Sequence, residues 1–123
     1  MNERSALTEG VYLILVSLLE PRHGYAVMQN VEAMTNGRVA MGAGTLYGAI
    51  NNLLEKKWIV SAGDNAESRK KEYVITPNGR EVLQYEILRL GELVQIGLDK
   101  MENSATHSST AHELQKEGFN RAN

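Results

Sequence analysis

Between Leu83 and Met101 the residues Leu83, Ile87, Leu90, Val94, Gly97 and Met101 follow one another at alternating spacings of four and three. That rhythm lays one stripe along an α-helix, a heptad seam. Leu88, Leu93, Ile96 and Leu98 widen the apolar surface. Thr76 and Pro77 mark where the helix starts, as cap and first position. A chain of 123 residues makes one domain with an appended helix. So small a domain cannot cover this much apolar helix, and a second copy across a two-fold axis is the simplest partner. Residues 77–102 are therefore read as a dimerisation helix, with Leu83, Ile87, Leu90, Val94 and Met101 at the contact. Residues 103–123 are a polar tail. Thr110-Ala111-His112-Glu113 has the form of a capping box, so a short final helix and a frayed end both fit.

Residues 1–76 divide into short elements. Thr8 caps a first helix running to about Glu20, apolar nearly all round and hence central. Pro21-Arg22-His23-Gly24 breaks it. Val27, Met28, Val31 and Met34 give a second helix over 25–34, closed by Asn36-Gly37 with Gly37 as the left-handed residue. Arg38 to Met41 crosses in partly extended form. A third helix opens near Gly42. Trp58-Ile59-Val60-Ser61 and Lys70 to Ile75 read as two strands joined by a polar turn over 64–68. The fold class is mainly α with a small β-hairpin: a winged helix-turn-helix followed by the long helix.

The third helix has two unlike faces. At about 100° per residue, Leu46, Ile50, Leu53 and Leu54 share one stripe. Gly44, Thr45, Gly48, Asn51 and Asn52 share the other. Small residues let a backbone approach a DNA groove, and Asn can bond an adenine edge or a phosphate. An ordinary amphipathic core helix has the same outline, so the flanking elements decide. Arg69, Lys70 and Lys71 give the hairpin a basic edge suited to phosphates. Alone, that edge would equally serve to deter strand pairing. Gly42-Ala43-Gly44 lacks the spacing of a phosphate-binding P-loop. It reads as a tight entry to the helix.

Composition excludes several classes. The chain has no cysteine, hence no disulfide or thiolate metal site, and its three histidines do not pair at zinc-binding spacing. The apolar run Val11 to Leu19 is too short to span a bilayer. The expectation is a cytoplasmic protein with no membrane partner. A net charge of −2 argues against nonspecific coating of nucleic acid, and 6% aromatic content argues against a single-strand stacking platform. No nucleophile–base–orienter set or cofactor fingerprint converges, so neither an enzyme nor a cofactor is expected. A winged helix that binds protein instead of DNA is the alternative reading, favoured by the acidic balance and opposed by the third helix and basic wing.

Five segments together resemble the PadR family of transcriptional regulators. They are Leu7-Thr8-Glu9-Gly10, His23-Gly24-Tyr25-Ala26, Gly44-Thr45-Leu46-Tyr47, Leu53 to Ile59, and Tyr73-Val74-Ile75-Thr76-Pro77-Asn78-Gly79. The resemblance spans about residues 7–101. It implies a bacterial homodimeric regulator, usually a repressor, on a palindromic double-stranded operator, released by a small-molecule effector. It also implies DNA contacts from Tyr25, Thr45 and Tyr47, the tyrosines through phosphates. Position 48 is often a larger basic residue in the family and is Gly48 here. The apolar seam is the expected place for an effector, of unidentified chemistry. The only tryptophan, Trp58, ends the third helix and is assigned to the core rather than to a ligand sandwich.

Overall fold

The computed structural model describes residues 6–65 and 70–105. Helix α1 (Glu9–Ser17) starts where the Thr8 side chain accepts from Val11 N at 3.2 Å, with Glu9 in the first turn complementing the helix dipole. Ile14, Leu15 and Leu18 are fully buried, so this short helix is central, as its apolar circumference predicts. Its one buried polar side chain, Ser17, accepts from Asn30 Nδ2 at 2.9 Å and is thereby satisfied.

Strand β1 (Arg22–His23) leads into α2 (Gly24–Met34), which buries Val27 and Val31. His23 caps α2 through Nδ1, which accepts from Ala26 N. The helix ends in a Schellman motif: Asn36 N donates to Ala33 O at 3.2 Å and Gly37 N to Glu32 O at 2.8 Å. Asn36, with φ of 52°, holds the first left-handed position, and Gly37 follows it with φ of 82°. The left-handed stop expected of Gly37 thus starts one residue earlier. Asparagine tolerates that conformation better than most residues. The Thr35 hydroxyl then accepts from Val39 N, and Val39 and Met41 pack on the core. They deliver the chain to α3 (Ala43–Glu55).

α3 buries Leu46, Ile50 and Leu53. It too closes with a Schellman motif, Lys57 N to Leu54 O at 3.0 Å and Trp58 N to Leu53 O at 3.1 Å. Here a lysine takes the left-handed position, with φ of 64°. Trp58 is buried in the core cluster, as assigned. Strands β2 (Ile59–Asn65) and β3 (Lys70–Ile75) pair antiparallel, Ile59 opposite Ile75 and Ser61 opposite Tyr73. The register shifts between Ser61 and Asp64, a bulge that bends the hairpin. The wing is more than the expected hairpin. β1 pairs with the far edge of β3, giving a three-stranded sheet in the order β1-β3-β2.

Helix α4 (Pro77–Ala105) starts at a tight junction. The Thr76 hydroxyl donates to Lys57 O at 2.8 Å and accepts from Gly79 N at 2.9 Å, while Thr76 N donates to Trp58 O at 2.9 Å. A Cβ at position 79 would lie 2.1 Å from the Trp58 carbonyl oxygen, so only glycine fits. The Thr-Pro-x-Gly sequence thus seats α4 against the start of the wing.

The chain forms two compact units that divide inside α4, between Glu86 and Ile87, rather than at its start. In the first unit the opening turns of α4 bury Val82 and Leu83 in the core, and Glu86 accepts from Leu7 N at 3.1 Å. Leu83 is 3% exposed. Its assignment to the dimer seam is therefore corrected: its heptad position is filled by the core of its own chain. In the second unit α4 continues to Ala105, past the expected end at residue 102. Among the described residues, no helix is long and apolar enough to cross a membrane. The expected polar turn over 64–68 and tail over 103–123 lie partly or mostly outside the described residues.

Candidate nucleic-acid interface

α3 presents the face that its periodicity predicts. Gly44, Thr45, Gly48, Asn51 and Asn52 are all exposed, while Leu46, Ile50 and Leu53 anchor the opposite side. Glu55 is also exposed and falls within the same arc. No side chain caps the helix at Gly42, and its first turn carries no acidic residue. The amides of that turn have no side-chain partner and face a region of positive dipole potential. Nothing stands within 4 Å of where a Cβ would sit on Gly44 or Gly48, so the helix surface is bare there.

Tyr47 borders this face, 42% exposed. Its hydroxyl rests on the first residue of α2: a Cβ at position 24 would lie 2.3 Å from the Tyr47 oxygen. The motifs His23-Gly24-Tyr25 and Gly44-Thr45-Leu46-Tyr47 are thus one physical feature. Gly24 is the seat that lets α2 and α3 approach, and the tyrosine is its occupant. Tyr25, next along α2, is 56% exposed. Two tyrosines therefore stand at the α2 end of the interface with part of each ring in solvent.

Cations border α3 without lying on it. Lys71 is exposed on β3. Lys70 is in the same strand and Arg69 lies outside the described residues. Arg38, in the α2–α3 connection, bonds both carboxylate oxygens of Glu9, Nη1 to Oε1 at 3.3 Å and Nη2 to Oε2. The hydrogen bond from Arg38 holds the Glu9 carboxyl below the usual carboxylate range, and the same bond pushes the guanidinium further up. Lys56 Nζ stands 4.8 Å above the Trp58 ring, a cation–π contact at the end of α3.

Sequence reasoning missed Gly24 as the seat of Tyr47, although both motifs were in view. It also missed the clip between Glu9 and Arg38, whose partners are 29 residues apart. No local pattern marks such a pair. Among the described residues, no group of three or more His, Cys, Asp or Glu side chains is placed to hold a metal.

Comparison with known proteins agrees with this architecture. Residues 13–85 match the Transcriptional regulator PadR-like family. The chain belongs to that family, which is one of transcriptional regulators rather than enzymes. It is similar to a PadR family transcriptional regulator from Eggerthella lenta DSM 2243, with 29% identity, TM-score 0.59, and 74% of this chain and 79% of that one covered. A PadR family regulator from Clostridium difficile R20291 shares the fold at TM-score 0.62 and 22% identity, covering 74% of this chain and 97% of that one. An uncharacterized 37.1 kDa protein in transposon TN4556 of Streptomyces fradiae is 35% identical over 82 residues, 66% of this chain. The match spans only 23% of that longer protein.

Proposed function

We propose that this PadR-family chain binds duplex DNA, with α3 in the major groove and the wing on the adjoining backbone. One observation carries the reading. α3 buries an apolar side in its own fold and leaves the opposite side bare or hydroxyl- and amide-bearing from Gly44 to Asn52, with Glu55 at its far end. Small residues permit close approach, and the amides supply donors and acceptors for base edges or phosphates. The first-turn amides of α3, Tyr25, Tyr47 and the wing residues Arg69, Lys70 and Lys71 supply the phosphate contacts.

The protein acts as a homodimer in this reading. Ile87, Leu90, Val94 and Met101 are exposed along α4 and share one stripe, and a second copy covers them. Two-fold symmetry then suits a palindromic operator whose half-sites are about 34–36 Å apart. Occupancy of such a site blocks transcription. An apolar or amphipathic small molecule that wedges into the seam favours another dimer geometry, and about 1–3 kcal/mol of preference is enough for partial release.

An electrophoretic shift with duplex DNA from the protein's own promoter region tests the reading. The expected result is a complex that weakens steeply as salt rises, since several phosphates are contacted. No shift at low ionic strength would point to a protein-binding winged helix instead.

A further inference from the structure

From Ala43 to Glu55, α3 carries neither lysine nor arginine. Its exposed residues are Ala43, Thr45, Tyr47, Asn51, Asn52 and Glu55 beside bare glycines. The nearest cations in the chain flank the helix rather than lie on it: exposed Lys57 sits past its C-terminal cap, and Arg38 and Lys56 are engaged elsewhere. Arg38 is bound through both terminal nitrogens to Glu9, and Lys56 lies over Trp58. This matters because the bases ask for different chemistry in the major groove. Guanine shows two acceptors, N7 and O6, which arginine or lysine donors chelate. Adenine shows one acceptor and one donor, which a single asparagine amide matches, and thymine shows a methyl group that packs against apolar atoms.

The inventory on α3 fits the second pair. Asn51 and Asn52 each pair a carbonyl acceptor with an amino donor, and Thr45 carries a hydroxyl and a methyl. Glu55, at the C-terminal end of the helix, has acceptors only; they repel N7 and O6 of guanine and can meet only the amino donors of adenine or cytosine. Asparagine and threonine are short, so they reach base edges only where the helix backbone comes close. Gly44 and Gly48 leave room for that approach. Resting on the DNA-binding reading above, we infer that this protein reads A·T pairs in the major groove and leaves guanine unread. Thr45, Asn51 and Asn52 are its specificity-determining side chains.

The test begins with selection of bound sequences from random duplexes of about 30 bp, long enough for two half-sites. The enriched duplex is then resynthesised with 7-deazaguanine, 7-deazaadenine or deoxyuridine replacing the natural nucleoside. Loss of about tenfold or more in affinity from the adenine and thymine analogues is expected, with less than about threefold change from 7-deazaguanine. A tenfold loss from 7-deazaguanine would overturn the inference. So would indifference to all three analogues, because shape and backbone would then be the whole readout. If no duplex is enriched at low ionic strength, the DNA-binding reading itself fails.

Discussion

Helix α3 and the stretch of α4 from Ile87 to Met101 are both amphipathic, yet they finish their folding differently. α3 turns its apolar side inward, where Leu46, Ile50 and Leu53 meet the core, and shows polar and bare surface outward. The later part of α4 keeps its apolar side in solvent, with Leu90 36% and Val94 59% exposed. The same periodic signal therefore has two meanings. Where the chain itself supplies the cover, the outward side is free to meet a ligand. Where it does not, the apolar side stays open, and in the proposed homodimer a second copy meets it.

The contrast is sharpest between Leu83 and Leu90, one heptad apart and separated by the unit boundary. Leu83→Ala should destabilise the protein by about 2–5 kcal/mol, read by chemical denaturation, because it hollows a packed core. Leu90→Asp should leave the first unit folded, dissociate the dimer in sedimentation and abolish operator binding. An intact dimer from Leu90→Asp would break the assignment of the seam.

A second pair compares two glycines. Gly24→Ala drives a methyl into the far end of the Tyr47 ring and should displace that part-exposed ring from its seat, at a cost of about 1 kcal/mol. Gly48→Ala meets nothing and should gain up to about 1 kcal/mol from helix propensity. If Gly24→Ala proves neutral, the seat described for Tyr47 is wrong. Tyr47→Phe is gentler still. It should weaken operator binding measurably while leaving the melting temperature nearly unchanged, and a large stability loss would mark the hydroxyl as a structural group.

These pairs also show what the sequence made legible. The two faces of α3 follow from periodicity, because an α-helix fixes which residues share a side. The Thr76-Pro77-Asn78-Gly79 junction was equally legible, since its cap and glycine act locally. The heptad from Leu83 onward marks one apolar side of α4 but not the point at which cover by the chain itself ends. Cover depends on what packs from elsewhere in the chain, and periodicity is blind to it. β1 escaped notice because two residues have no period. The meeting of Gly24 with Tyr47, and of Glu9 with Arg38, needs the tertiary fold.

The smallest effects concern the ends of the interface. Lys57→Gly should add about 0.5–1 kcal/mol, because glycine takes the left-handed position without steric cost. Unchanged stability would show that lysine is already unstrained there. The Glu9–Arg38 pair is solvent-exposed and its effect is small, but its sign is fixed. Folding lowers the Glu9 pKa, so the unfolded chain binds the proton more readily at acid pH. The pair's stabilisation is present above the ordinary carboxylate pKa and is lost as pH falls through the lowered folded value. Glu9→Gln should therefore be slightly less stable than the parent at neutral pH and indistinguishable from it in strong acid. A difference that persists in acid would assign the effect to packing instead.

The most direct measurement is the sedimentation stoichiometry of the full chain on a selected duplex, run beside Leu90→Asp and Asn51→Ala/Asn52→Ala. The account predicts two protomers per duplex for the parent. It predicts a folded monomer without DNA for the first variant and a folded dimer with weakened, less selective binding for the second. A parent that sediments as a single protomer at micromolar concentration and leaves every duplex unbound at low salt would contradict it.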